Sequence, residues 1–239
     1  MPDILEVART LMGAVSSQGA DARLLGGVAV ALRCPSATLP GLSRSYQDLD
    51  AVVMRRSVQA FSRACESVGF EADRRFNALH GERRLLFHQG DLALDAFIQV
   101  FEQSHRLDFS GRFKLGEPTV QLADLLLTKL QVYEINRKDL TDAITILVDH
   151  PPTRGAELDL TAFVDVLRQD WGWYTTVGDN LDRLPELARE VLPDPRPVLE
   201  RLRILREAMA GAPKSMAWKL RARVGRRVPW YQLPEEKVR

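Results

Sequence analysis

Asp48 and Asp50 stand one residue apart in "YQDLDAVV" (46–53), inside an otherwise apolar run. Aspartate is depleted from strands, and two carboxylates held this close repel unless something compensates them. On a strand, residues i and i+2 face the same way. Asp48 and Asp50 then share one face, and Leu49, Ala51 and Val53 take the other. A divalent cation would supply the missing charge; magnesium suits the pair, because it prefers oxygen ligands and is usually held by one or two carboxylates plus substrate phosphates. A third acid lies in "LALDAFIQV", where Leu92, Leu94, Ala96, Ile98 and Val100 share one face and Asp95 lies on the other. If the two strands are neighbours, three carboxylates could hold two ions about 3.5–4 Å apart, the clamp used in phosphoryl transfer. Gly26-Gly27 sits between a short strand at 23–25 and a helix beginning at 28–32. That arrangement leaves free N–H groups at a helix N-terminus, where glycine lets a phosphate approach closely.

Each feature has a plainer reading. The two acids can be solvated at a strand start or pair with Arg33 or Arg44, Gly-Gly can be an ordinary turn, and Asp95 can face solvent on an edge strand. Asp91, in the turn-like "HQGD", competes with Asp95 as the third acid; the amphipathic strand favours Asp95. The order of the features along the chain argues for their acting together.

The surrounding elements follow from periodicity. Ile4, Leu5, Ala8, Leu11, Met12 and Val15 recur at helical spacing, as do Val58, Phe61, Ala64, Cys65 and Val68. Further strands are expected around 70–74 and in "RRLLFH". The turn-rich "FSGRFKLGEPT" predicts a boundary at 115/116. Beyond it the pattern is helical: "TVQLADLLLTKLQVYE", "RKDLTDAITILVDH" stopped by Pro151-Pro152, "DLTAFVDVLRQDWGW", "NLDRLPELAREVL" and "PRPVLERLRILREAMAG". An α/β half is followed by an all-α half.

Composition limits the alternatives. With 239 residues, 45% hydrophobic and 27% charged, the chain can bury a real core. Two cysteines, Cys34 and Cys65, make no disulfide framework and lack ligand-spaced partners, which fits a reducing, cytoplasmic setting and argues against structural zinc. His80, His88, His105 and His150 have no ligand spacing and are expected at surface or strand-end positions. Ser43 and Ser45 lack a paired base, and no P-loop or dinucleotide fingerprint is present. No apolar run is long enough to span a bilayer, so no membrane partner is expected. From Arg196 onward there are twelve Lys or Arg and four Glu, a local +8, leaving −7 for the rest.

The order glycine pair, D-x-D strand, third acid on a later strand resembles the nucleotidyltransferase (polymerase β-like) superfamily. Within it, "LLGGVAVAL", "RSYQDLDAVV" and "LTKLQVYEINRKDLTDA" are similar to the AbiEii-type branch of toxin nucleotidyltransferases, over roughly residues 20–150. The chain departs from that pattern at Val28, where a hydroxyl is frequent, and at Tyr46, often Thr. The resemblance implies an α/β (α+β) nucleotidyltransferase fold with a mixed sheet, followed by a C-terminal helical domain: a catalytic domain over 1–115, and helices with a basic tail over 116–239. It implies magnesium on Asp48, Asp50 and Asp95, with Asp95 helping to deprotonate the acceptor, and a nucleoside triphosphate on Gly26 and Gly27. Lys129 near the phosphates and Asp139 complete the implied site. From the residues alone, Lys129 either snorkels to water or meets a negative partner, and Asp139 and Asp142 suit a helix start.

The implied reaction moves an NMP from an NTP to an acceptor hydroxyl, in a toxin–antitoxin or abortive-infection setting with a cognate antitoxin. The tail carries Lys219, Arg221, Arg223, Arg226 and Arg227 with Trp218, Trp230 and Tyr231 interleaved, a pattern that suits RNA, tRNA among them. It equally suits a basic helix docked on the acidic front half. The alternatives are a nucleotidyltransferase for a small antibiotic-like acceptor, a protein-modifying transferase, and a degenerate domain serving as a binding module.

Overall fold

The computed structural model describes residues 3–114 and 117–233; the expected boundary at 115/116 and the last six residues lie outside these. The chain forms two compact units that interleave in sequence. The first comprises Met1–Arg33, Arg44–Phe101 and Leu107–Gln121; the second comprises Cys34–Ser43, Glu102–Arg106 and Leu122–Arg239.

The first unit is built on a five-stranded mixed sheet. Its strands are β1 (Ala22–Leu25), β2 (Asp48–Val53), β3 (Glu71–Ala72), β4 (Arg84–Gln89) and β5 (Leu92–Ile98), in the order β1-β2-β5-β4-β3. Of these five strands β2 and β5 pair parallel and the other neighbours antiparallel. Period-2 alternation divides the sheet into two faces. Ala22, Leu24, Leu49, Ala51, Val53, Leu85, Phe87, Leu94, Ala96 and Ile98 all point to one side and are all buried. Helices α1 (Ile4–Ser17), α2 (Gly26–Arg33) and α3 (Val58–Ser67) cover that side. Phe61 on α3 meets Phe87 edge to face at 6.0 Å. The Val, Leu, Ile and Phe side chains among these each contribute about 1.5–3 kcal/mol by leaving water, which fixes the face turned to the core and leaves Asp48, Asp50 and Asp95 on the opposite one.

Two expectations for this half need correcting. The stretch at 70–74 gives only the two-residue β3 and then turns into α4 (Arg74–His80), because Asp73 caps it by accepting from Phe76 N at 2.9 Å. The strand expected from Leu92 through Val100 breaks at Gln99, whose φ is +65°. Gln99 N donates to Val53 O and Gln99 O accepts from Phe109 N, so the chain leaves the sheet there. Val100 belongs to β6 (Val100–Glu102), which pairs with β7 (Arg106–Asp108) as a separate ribbon.

The second unit is helical: α5 (Leu122–Leu130), α6 (Arg137–Asp149), α7 (Leu160–Leu167), α8 (Trp171–Leu181), α9 (Leu184–Val191), α10 (Arg196–Gly211) and α11 (Met216–Val224). All nine residues of α5 are buried. It ends at Leu130, short of Val132 and Tyr133, because Asn180 Nδ2 donates to the carbonyls of both Leu130 and Val132 at 2.8 Å and satisfies them outside a helix. The expected helix over "DLTAFVDVLRQDWGW" is two, since Asp170 stops the first turn pattern and caps α8 through Trp173 N at 3.0 Å. Segment 34–43 joins this unit through Ser36, whose N and Oγ both donate to Asp149 Oδ2. No helix among the described residues is long and apolar enough to cross a membrane.

Candidate functional site

Register brings the sequence-predicted acids together. Antiparallel pairing sets Leu25 against Asp50, and parallel pairing sets Asp50 against Asp95 and Asp48 against Ala93. Paired residues face the same way, so Asp48, Asp50 and Asp95 form one patch on the face away from the core. Asp48 is exposed, Asp50 half-buried and Asp95 buried.

β1 delivers the chain directly onto this patch. Its next residue, Gly26, has φ +76° and starts α2. A Cβ here would overlap Asp50 Oδ2 and lie 3.0 Å from Asp50 Cγ. Only glycine combines that backbone with that approach. At Gly27 an added Cβ would meet the guanidinium tip of Arg44 and lie 3.1 Å from Tyr46 Cδ1; Arg44 lies over the Tyr46 ring, 4.5 Å from its centroid. The glycine bend is therefore bounded by a carboxylate on one side and a stacked cation on the other. Arg33, one of the partners considered for the acids, donates to Glu117 Oε2 and Thr119 Oγ1, both at 3.1 Å.

Sequence reasoning missed Arg84. Its Nε and Nη2 grip Asp95 Oδ1 and Oδ2 as a bidentate fork. The guanidinium lies near the rings of Phe76 and Phe97, 5.7 and 5.2 Å from their centroids. Its signal was present: alternation in "RRLLFH" puts Arg84, Leu86 and His88 on one face. Only the antiparallel register of β4 on β5, Leu86 opposite Asp95, shows that this face is the carboxylate face. Among the described residues no group of three or more His, Cys, Asp or Glu is arranged to hold a metal ion.

Lys129 and Asp139 lie in the helical unit and are brought together with each other. Lys129 Nζ donates to Asp139 Oδ1 at 3.0 Å and lies 2.8 Å from Asp142 Oδ2. Lys129 and Asp142 are both buried. Burial alone would lower the lysine pKa, but Asp142 and then Asp139 more than reverse it, leaving it raised. The negative partner, not snorkelling, is the outcome.

In the tail, Lys219, Arg223, Arg226 and Arg227 are exposed and Arg221 half-buried. Arg226 donates to Asp179 at 2.6 and 2.8 Å, and Arg221 to the carbonyls of Gly225 and Val228. The aromatics are half-buried and contact other rings: Tyr231 stacks on Tyr133 at 3.5 Å, Trp230 meets Tyr133 and Trp171, and Trp218 meets Tyr174. Two pockets open in this unit, about 560 and 480 Å³. The first is lined by Glu134, Asp179, Asp182, Arg183 and Arg226 among others, the second by Trp171, Trp218 and Trp230 with Arg221. His105, expected at a surface or strand-end position, directly precedes β7 and is buried, with Nε2 2.8 Å from Thr176 Oγ1; burial pushes its imidazole down to about 4, against a smaller opposing pull from Asp170.

No family model matches the chain, and no curated protein matches it. Among solved structures it is similar to the antibiotic-resistance factor ANT(2'')-Ia, at 12% identity and a TM-score of 0.41 over 60% of this chain and 82% of that one. An antigenic nucleotidyltransferase-like protein from Paracoccidioides brasiliensis is similar at 15% identity and a TM-score of 0.41, over 89% of this chain and 94% of that one. A tRNA nucleotidyltransferase, solved with a primer tRNA and an ATP analogue, is similar at 14% identity and a TM-score of 0.30, over 84% of this chain and 62% of that one.

Proposed function

We propose that the chain is a metal-dependent nucleotidyltransferase that moves an NMP from an NTP to an acceptor hydroxyl. The observation that carries the reading is Asp50's position: it lies between the Gly26 bend, which touches it, and Asp95, its register partner. Asp48 and Asp50 share a face and fit one magnesium ion. Such an ion would neutralise phosphate charge as the transferring group forms. Asp95 fits a ligand's place less well, since the Arg84 guanidinium lies across its chelating edge. A triphosphate would approach the backbone at Gly27 in place of the Arg44 tip, the far end of a flexible side chain, and keep that cation beside it. Lys129 would reach a phosphate only by leaving Asp139 and Asp142, so we assign it to holding the helical unit together.

The acceptor we favour is an RNA end, such as that of a tRNA. Exposed Lys219, Arg223 and Arg227 support phosphate contact, and the half-buried Trp218, Trp230 and Tyr231 line the pocket beside Arg221, where a base could stack. A toxin role with a cognate antitoxin rests on the sequence resemblance. The second reading, a small antibiotic-like acceptor, is favoured by the polar pocket lined by Glu134, Asp179 and Asp182 together with Arg183 and Arg226. The test is transfer of label from α-labelled NTPs to total tRNA by the full chain. Asp48→Ala should abolish transfer while circular dichroism stays unchanged; label transfer that survives the substitution refutes the assignment.

A further inference from the structure

Resting on the nucleotidyl-transfer reading, we propose that Arg84 is the fixed cation of the site: its guanidinium stands where a second metal ion would sit at Asp95, so the site takes one divalent ion rather than two. Arg84 donates Nε to Asp95 Oδ1 and Nη2 to Oδ2, so its guanidinium lies across the edge of the carboxylate through which both oxygens would chelate an ion, and sets a fixed positive charge there. The planar guanidinium matches a carboxylate in this bidentate form better than any other side chain.

The pair is also held. The Asp95 side chain is 7% exposed and that of Arg84 31%, so separating them would leave a buried carboxylate without its counter-charge, a strongly unfavourable state. Phe97 lies on β5, two residues beyond Asp95 and facing the same way, and Phe76 comes from α4; the two rings bound the guanidinium from different elements. Cations are attracted to ring faces at this range. The Asp73 cap that starts α4 thus helps to set the position of Arg84, through Phe76.

Charge points the same way: a dication at this edge of Asp95 would meet the fixed positive charge of the Arg84 guanidinium at close range. Asp95 becomes a positioned carboxylate, and Arg84 is a positioning residue acting through it.

Manganese can be counted by electron paramagnetic resonance on the full chain, with and without a non-hydrolysable NTP analogue. The wild-type chain should bind one Asp-dependent ion, lost in Asp48→Asn and retained in Asp95→Asn. Arg84→Met should gain a second ion, absent from the Arg84→Met/Asp95→Asn double variant. Arg84→Lys, which keeps the charge and guards against misfolding of the methionine variant, should stay at one ion. Two ions in the wild-type chain, one of them lost in Asp95→Asn, would overturn the role of Arg84 and leave the nucleotidyl-transfer reading intact. No ion bound under either condition would sink that reading itself.

Discussion

Gly26 and Asp50 are in contact across the β1–β2 pair: the glycine has no room for a Cβ because the Asp50 carboxylate occupies that space, and its φ of +76° disfavours one in any case. At Gly27 the obstacle is the tip of Arg44, the far end of a flexible side chain, and the backbone is not left-handed. The two neighbouring glycines should therefore respond differently. Gly26→Ala should cost about 1–3 kcal/mol of stability and abolish calorimetric binding of Mg-NTP. Gly27→Ala should cost less than Gly26→Ala in the same melts, since Arg44 can swing aside, and should weaken nucleotide binding mainly by displacing that cation.

Lys129 neutralises a buried patch holding Asp139 and Asp142. Lys129→Met should destabilise the chain by about 3–5 kcal/mol, because Asp142 is left as an uncompensated buried charge. Denaturant melts should show the Lys129→Met/Asp142→Asn double variant less destabilised than the sum of the singles. The lysine's raised pKa means its contribution is full below the unfolded lysine value of about 10.4 and is lost as pH climbs through the higher folded value. Stability should thus decline in the alkaline range, and the methionine variant should lack that component.

His105 gives the opposite sign. Its folded pKa, down to about 4 through burial, lies below the unfolded value of about 6.5. The unfolded state binds the proton more readily, so stability is full above about pH 6.5 and falls as pH drops toward 4, by up to about 3 kcal/mol. Urea midpoints measured across that range should fall in the wild-type chain and flatten in His105→Gln. A wild-type curve with no decline there would contradict the buried, neutral imidazole.

The exposed basic residues of α11 and its C-terminal flank predict a salt signature. If RNA is the acceptor, fluorescence anisotropy with labelled tRNA should show affinity falling steeply with salt, and each of Lys219→Ala, Arg223→Ala and Arg227→Ala should lower the slope by about one phosphate contact. Arg226→Ala should also cost stability, because Arg226 is tied to Asp179. Salt-independent binding, or none, favours the small-acceptor reading.

Local rules in the sequence determined a good deal. Period-2 alternation put Asp48 and Asp50 on one face and the core residues of β2 and β5 on the other. Helical spacing found α1, α3, α6 and α10, and the glycine pair marked the bend before α2. Such patterns arise between residues a few positions apart, where backbone geometry alone sets direction. Only tertiary structure decided the strand order that makes Asp50 and Asp95 neighbours, the antiparallel register that carries Arg84 onto Asp95, the break at Gln99, and the meeting of Lys129 with Asp142. It also decided which rings the tail's aromatics meet and that segment 34–43 joins the helical unit through Ser36 and Asp149. Those facts depend on which distant segments share a sheet edge or a helix face, which burial and hydrogen-bond satisfaction settle across the whole chain and no local period encodes.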